Sequence, residues 1–210
     1  MTALIETVRI RGGRAPLWQL HLRRLSRSCQ ALRIPIPPLL REPGGGVDRV
    51  HRFEVGPKGF TLAERQVPSP APVRLVTVPT VHPGYSHKTT ARDAFVQAEQ
   101  AAMRSGGNAP LLLTSRGLVA EGAIWCLYWW EGDRIAGPAL ELGILEGVSR
   151  MRIEEMTGPI LERKVRLKEL AGRPIFLSNA VRGIIEPETL DSGAVPRHSG
   201  TEGLREAFWP

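Results

Sequence analysis

Lysine is nearly absent from this chain. Four lysines, Lys58, Lys88, Lys164 and Lys168, stand against 24 arginines, so a generic positive charge is arginine's task here. Cysteine is scarcer still, with only Cys29 and Cys126, far apart in sequence. Two such residues make neither a disulfide framework nor a metal site, and a reducing cytoplasm is the plain expectation. No apolar run approaches the about 18 residues needed to cross a bilayer, so no membrane partner is expected. The longest candidate, Ala123–Trp130 (AIWCLYWW), has the length of a strand. The opening MTALIETVRI has no basic region leading into a long apolar stretch and is not expected to act as a signal peptide.

What is present points to a folded protein. With 210 residues and 42% hydrophobic content, the chain can build one domain, or two small ones sharing a core. That content is too high for a disordered chain. The net charge of +7 raises the question of a nucleic-acid partner. The excess is spread along the chain, however, and is densest only over Arg9–Arg27, with six arginines. An anionic small-molecule ligand accounts for selected arginines equally well, and nucleic acid is not the expected partner.

The pattern along the chain predicts short strands mixed with helices. Residues 3–10 read as a strand. Residues 18–32 read as an amphipathic helix, with Trp18, Leu22, Leu25, Cys29 and Leu32 on one face. The Pro- and Gly-rich segment 34–46 reads as a loop. Strands are expected near 50–55, 59–66 and 73–79, with 68–72 (PSPAP) resembling a linker. A helix over 90–105 stops at Gly106–Gly107. Strands follow at 110–114 and 117–130, a helix near 148–157, and strands at 161–167, 174–178 and 182–186. Beyond 187 the composition is polar and rich in Gly and Pro, which predicts a partly disordered tail. The mixture implies α+β rather than a doubly wound sheet. The expected division is a small N-terminal domain over 1–78, a larger domain over 79–190, and a polar tail over 191–210.

The lone lysine in PGYSHKTTARDAF, residues 83–95, gains weight from its surroundings. In order the chain carries ETVR (6–9), HLRRL (21–25), HKTTARDA (87–94), GLVAEGAIWCLYWWEGDRIAGPAL (117–140), GILEGVSR (143–150) and FLSNAVRGI (176–184). This series resembles the fold-type IV pyridoxal-phosphate enzymes, the class IV aminotransferase family, over about residues 3–187. The family includes branched-chain and D-amino acid aminotransferases and aminodeoxychorismate lyases. The resemblance implies a small N-terminal α/β domain, a larger β-barrel-like C-terminal domain, pyridoxal 5'-phosphate as cofactor, a small-molecule amino substrate, and a homodimer.

It also implies roles, residue by residue. Lys88 matches the lysine that forms the internal aldimine. Glu121, 33 residues later, matches the acid beside the cofactor's ring nitrogen. Arg24 matches the phosphate-binding arginine, Val148 and Ser149 the helix start that holds the phosphate, and Asn179 and Ala180 the other phosphate-side turn. The chemistry of each group agrees. An imine needs a primary amine that can lose its proton, which a guanidinium cannot supply. A carboxylate beside a pyridine nitrogen favours its protonated form. A helix N-terminus and a forked arginine both suit a phosphate. Singly, each residue has an ordinary explanation: a solvated lysine, a turn carboxylate, a basic helix face, a plain helix start.

HKTTARDA places Arg92 four residues after the lysine, similar to the K-T-x-x-R arrangement of aminodeoxychorismate lyases, where it would meet a substrate carboxylate or serve as a structural arginine. FLSNAVRGI is similar to the lyase branch's N-A/S-x-x-G turn. The implied reaction converts 4-amino-4-deoxychorismate to 4-aminobenzoate, a folate precursor, and pyruvate. A class IV transaminase acting on branched-chain or D-amino acids is the first alternative. A non-catalytic relative binding an anionic partner through the arginine-rich first helix is the alternative of another class. Three departures stand out: Cys126 where relatives often carry asparagine, Ala180 where many carry a hydroxyl, and a short 33–75 region. Lys88→Arg keeps the charge and the fold; it is expected to abolish the yellow colour of the cofactor-loaded protein, read by visible absorbance.

Overall fold

Alternation of buried and open positions shapes the first strand, β1 (Leu4–Ile10), in the computed structural model, which describes residues 2–38 and 40–210. Leu39, inside the segment read as the loop 34–46, lies outside the described residues. Strand β1 pairs antiparallel with β2 (Arg49–Gly56), which pairs antiparallel with β3 (Gly59–Arg65). Helix α1 (Trp18–Leu32) lies against this sheet. Its Trp18, Leu25 and Cys29 pack with Leu4, Val8, Phe53 and Val55, and the Trp18 and Phe53 rings sit 5.9 Å apart. Leu32, placed on the same face by spacing, is 43% exposed at the last position of the helix. A second face of α1 buries polar groups instead: His21, Arg24 and Ser28.

The rest of the chain forms two five-stranded sheets. One has the order β13-β12-β4-β5-β6, the other β11-β10-β7-β8-β9. The first comprises β4 (Arg74–Val81), β5 (Ala109–Leu113), β6 (Val119–Gly122), β12 (Thr189–Leu190) and β13 (Gly193–Ala194). The second comprises β7 (Cys126–Glu131), β8 (Arg134–Pro138), β9 (Leu161–Arg163), β10 (Ile175–Asn179) and β11 (Gly183–Ile185). Leu75, Leu111 and Val119 of the first meet Leu127, Trp129, Ile175 and Leu177 of the second in one apolar cluster. Val119 N–H donates to the Val165 carbonyl at 2.9 Å, and a bridge joins Leu118 to Arg166. The sheets therefore curl around their core as a partial barrel, and the architecture is α+β. Helix α2 (Asp93–Arg104) connects the parallel neighbours β4 and β5. Helix α3 (Val148–Thr157) covers the β10 side. No described helix is long and apolar enough to cross a membrane.

Three expectations change. Residues 117–130 are not one strand: β6 and β7 belong to different sheets, and the chain turns between them, with Gly122 N–H bonded to the Trp125 carbonyl at 2.9 Å. A Cβ at Gly122 would lie 3.1 Å from the Pro110 carbonyl oxygen, so a side chain there would crowd the turn. Both strands are largely buried and the exposed residue between them, Ile124, is itself apolar, so the run carries no mark where the chain crosses over. The helix expected over 90–105 begins at Asp93 because Thr89 and Thr90 pair with the edge of β1 instead.

The segment read as a disordered polar tail also folds. Its β13 closes a hairpin, and α4 (Ser199–Ala207) docks through Thr201, Leu204 and Phe208. Trp130 Nε1 donates to Thr201 Oγ1 at 3.0 Å. Arg152 donates to the Ala207 and Phe208 carbonyls at the helix end. The spacing of 201, 204 and 208 was the available helical signal, diluted by glycine and charge. Phe208 is fully buried, so Phe208→Ala is expected to lower unfolding stability by about 3–5 kcal/mol, measured by denaturant titration.

Candidate active site

Lys88 lies in an extended segment sewn to the edge of β1. Ile5 N–H donates to the Lys88 carbonyl at 2.7 Å, and Thr90 N–H donates to the Ala3 carbonyl at 2.8 Å. From below, Tyr85 Oη accepts the Thr89 N–H at 2.6 Å and itself donates to the Thr89 carbonyl. Beside it, His87 Nδ1 sits 3.1 Å from Ser28 Oγ on α1. The lysine's main chain is thus held from three sides. Its amine is pushed down from 10.5 to about 7, by burial first and then by the Arg24 and Arg92 charges, with Glu6 and Glu121 opposing. An amine near 7 is available as a nucleophile and base under neutral conditions.

Arg24 is buried while its neighbour Arg23 is exposed. The Arg24 guanidinium donates through Nε at 3.0 Å, and through Nη2, to the two Glu6 oxygens. His21 Nδ1 meets the same carboxylate at 2.6 Å. Burial alone would raise the Glu6 carboxyl, but Arg24 and His21 outweigh it and hold it below its ordinary range. Burial pushes His21 down, so the network is an anion between a cation and a neutral imidazole. Glu121, near the end of β6, is 5% exposed. Its Oε1 accepts the Leu145 N–H at 3.0 Å and faces His82 Nε2 at 3.0 Å.

The start of α3 forms another wall. Its first intrahelical bond is Met151 N–H to the Gly147 carbonyl, which leaves the N–H groups of Val148 and Ser149 outside the helical ladder. A Cβ at Gly147 would lie 2.9 Å from Cys126 Sγ, so glycine is what lets β7 and the helix start approach each other. The Ser149 hydroxyl accepts from Ser178 Oγ at 2.9 Å. Asn179 Oδ1 accepts the Val181 and Arg182 N–H groups at 3.0 and 2.8 Å. Arg92 precedes α2, donates to the Ala123 carbonyl at 2.8 Å, and lies over the Phe95 ring at 5.0 Å.

All eight residues singled out by sequence, Arg24, Lys88, Arg92, Glu121, Val148, Ser149, Asn179 and Ala180, line one cavity of about 380 Å³. Cys126 lines it as well, as do Arg52, Arg65 and Arg182. Glu6, His21 and His82 had received no role. Glu6 was detectable: it shares a face of β1 with Leu4, Val8 and Ile10, and a carboxylate in such a row needs a buried partner. His82 left no trace in the pattern, and Arg52 and Arg65 are two arginines among 24.

The cavity's donor set fits a phosphorylated pyridine aldehyde. It offers a primary amine of lowered proton affinity, a carboxylate with one oxygen still unpartnered among the described residues, a buried arginine, and a helix start.

The model of the family described as amino-transferase class IV matches residues 56–186. The aminodeoxychorismate lyase of Bacillus subtilis is 43% identical over 93 residues; that match takes in 40% of this chain and only 32% of the relative's length. A candidate 4-amino-4-deoxychorismate lyase from Legionella pneumophila superposes with a TM-score of 0.81 at 20% identity, over 96% of this chain and 88% of that one. A hypothetical aminotransferase from Mycobacterium tuberculosis, in its PLP-bound form, superposes with a TM-score of 0.83 at 19% identity, over 98% and 87%. These solved structures share the fold.

Between pH 7 and 10.5, the two values given for Lys88, the unfolded lysine keeps a proton that the folded one has released. Wild-type stability therefore rises with pH across that window. In the cofactor-free protein, Lys88→Met is expected to be more stable than wild type below pH 7, the gap closing toward pH 10.5. Denaturant unfolding at a series of pH values reads this out, and a gap independent of pH would contradict it.

Proposed function

Because the chain belongs to the amino-transferase class IV family, whose members use pyridoxal phosphate, we propose that this cavity holds pyridoxal 5'-phosphate. We further propose that the protein converts 4-amino-4-deoxychorismate to 4-aminobenzoate and pyruvate. The observation that carries the reading is the amine of Lys88, held near 7 in one cavity with Arg24, Glu121 and the start of α3. Lys88 would hold the cofactor's aldehyde carbon. Glu121 would face the ring nitrogen and keep a proton on it. Arg24, the first N–H groups of α3 at Val148 and Ser149, and the Asn179–Ala180 turn would hold the phosphate. When bound, the cofactor supplies a conjugated ring that takes up the electron pair left on the substrate carbon.

The chain's own residues do the rest. Once released to act as a base, the Lys88 amine removes the proton from the substrate carbon bearing the amino group. The neighbouring ring carbon–oxygen bond then breaks, the enolpyruvyl group leaves with that bond's electron pair as an enolate that takes up a proton and tautomerises to pyruvate, and the six-membered ring becomes aromatic. Arg92, four residues beyond Lys88, supports the lyase branch, as does the N-A-V-R-G turn at 179–183. The match to the Bacillus lyase supports it too. A substrate with carboxylates suits a cavity whose rim carries Arg52, Arg65, Arg92 and Arg182. A homodimer and a cytoplasmic setting belong to the same reading.

The purified protein is expected to be yellow and to release 4-aminobenzoate and pyruvate in equal amounts from 4-amino-4-deoxychorismate. Lys88→Ala is expected to lower the rate by at least about a hundredfold. Amino transfer from an amino acid to a keto acid, with no 4-aminobenzoate formed, would assign the protein to the transaminases instead.

A further inference from the structure

We propose that His82 is a positioning residue for this reaction: it donates its Nε2 proton to Glu121 and aims the carboxylate's remaining oxygen into the cavity. The inference rests on Glu121 serving a cofactor's ring nitrogen, as proposed above. His82 is buried, at 6% exposure, between the end of β4 and the Lys88 segment. Its main chain is fixed by a 2.8 Å bond from its N–H to the Leu113 carbonyl. Its ring stands edge-on to Phe95, with centroids 5.8 Å apart and planes at 72°, which limits rotation.

The two ring nitrogens have different partners. Nδ1 accepts the Gly84 N–H at 3.2 Å. A nitrogen that accepts carries no hydrogen, so the neutral ring bears its proton on Nε2. That proton points at Glu121 Oε1, 3.0 Å away, and Leu145 N–H reaches the same oxygen at 3.0 Å. Two donors converge on Oε1, while Oε2 has no hydrogen-bond partner among the described residues. The carboxylate lines the cavity, so Oε2 is the oxygen left for a ligand.

Two donors on one oxygen fix the carboxylate plane and hold its charge in place. Without His82, Leu145 N–H alone remains. The carboxyl group can then turn, and the negative charge facing a ring nitrogen is no longer fixed. His82 also precedes Lys88 by six residues in the same segment. One stretch of chain thus sets the amine directly and the acid through His82.

The test uses the protein loaded with pyridoxal phosphate labelled with 15N in its ring. At one alkaline pH the wild-type ring nitrogen is expected to resonate as the protonated form. His82→Phe keeps the ring's bulk but loses both hydrogen bonds. Its 15N signal is expected to move toward the unprotonated value, with kcat about tenfold lower and KM near wild type. His82→Gln, whose amide nitrogen can stand where Nε2 stands, is expected to restore signal and rate. His82→Asn, whose amide reaches only the Nδ1 position, is not. Circular dichroism confirms the fold of each variant. If His82→Phe does not fold, the Gln and Asn variants carry the test, and equal 15N shifts in the two overturn the proposal. A protonated wild-type ring unchanged in every variant overturns it while leaving the proposed function standing. An unprotonated wild-type ring removes both this inference and the role given to Glu121.

Discussion

The main-chain pairing between the edge of β1 and the segment Lys88–Thr90 is the constraint on which the site depends. Two hydrogen bonds, Ile5 N–H to the Lys88 carbonyl and Thr90 N–H to the Ala3 carbonyl, join the three-stranded sheet to the chain that links β4 and α2. The first sheet carries Glu6 and, through α1, Arg24. The other two sheets carry Glu121 and the start of α3. Where the two halves are sewn together the lysine is delivered between them, and the cavity is the space left over.

The buried charges around that cavity are held in different ways. Glu6 and Arg24 are both buried and meet through two hydrogen bonds. Leaving either one without its partner would cost about 3–5 kcal/mol, more than the pair is worth as a stabilising contact. Glu121 is held by a main-chain N–H and His82 rather than by a cation. At Lys88, burial and two neighbouring guanidinium groups disfavour the charged form. Burial first, and the neighbouring arginines second, bring this one lysine to about 7, so that near neutral pH much of it stands as the free amine.

Much of the site was legible because residue type and order suffice for it. Arg24 and the helix start at Val148 sit in segments whose local structure the pattern described correctly, and Glu121 is in a strand as expected, though a shorter one. Choosing Arg24 over Arg23 rested on a resemblance, since charge density is the same for both; burial on the second face of α1 is what separates them. The crossover at Ala123–Trp125 was illegible because the strands on both sides of it are largely buried and Ile124, exposed within it, is as apolar as they are. Helix α4 was masked by its own glycines, and its three anchoring side chains count only once Trp130 and Ile184 are in place to receive them.

Composition and motif order alone determined that this is an α+β chain with one unusual lysine and a set of companion residues suited to holding a phosphorylated aldehyde. Those properties are local: a side chain either is a primary amine or is not, and a helix start follows from a few neighbours. Only the tertiary structure decided which arginine is buried, that Glu6 holds it, that His82 reaches Glu121, and that the lysine's proton is held loosely. These depend on contacts between residues far apart in sequence: 18 positions for Glu6 and Arg24, 39 for His82 and Glu121, and 64 for Arg24 and Lys88. Electrostatics and burial act through space, and a one-dimensional pattern does not record which segments the fold brings together.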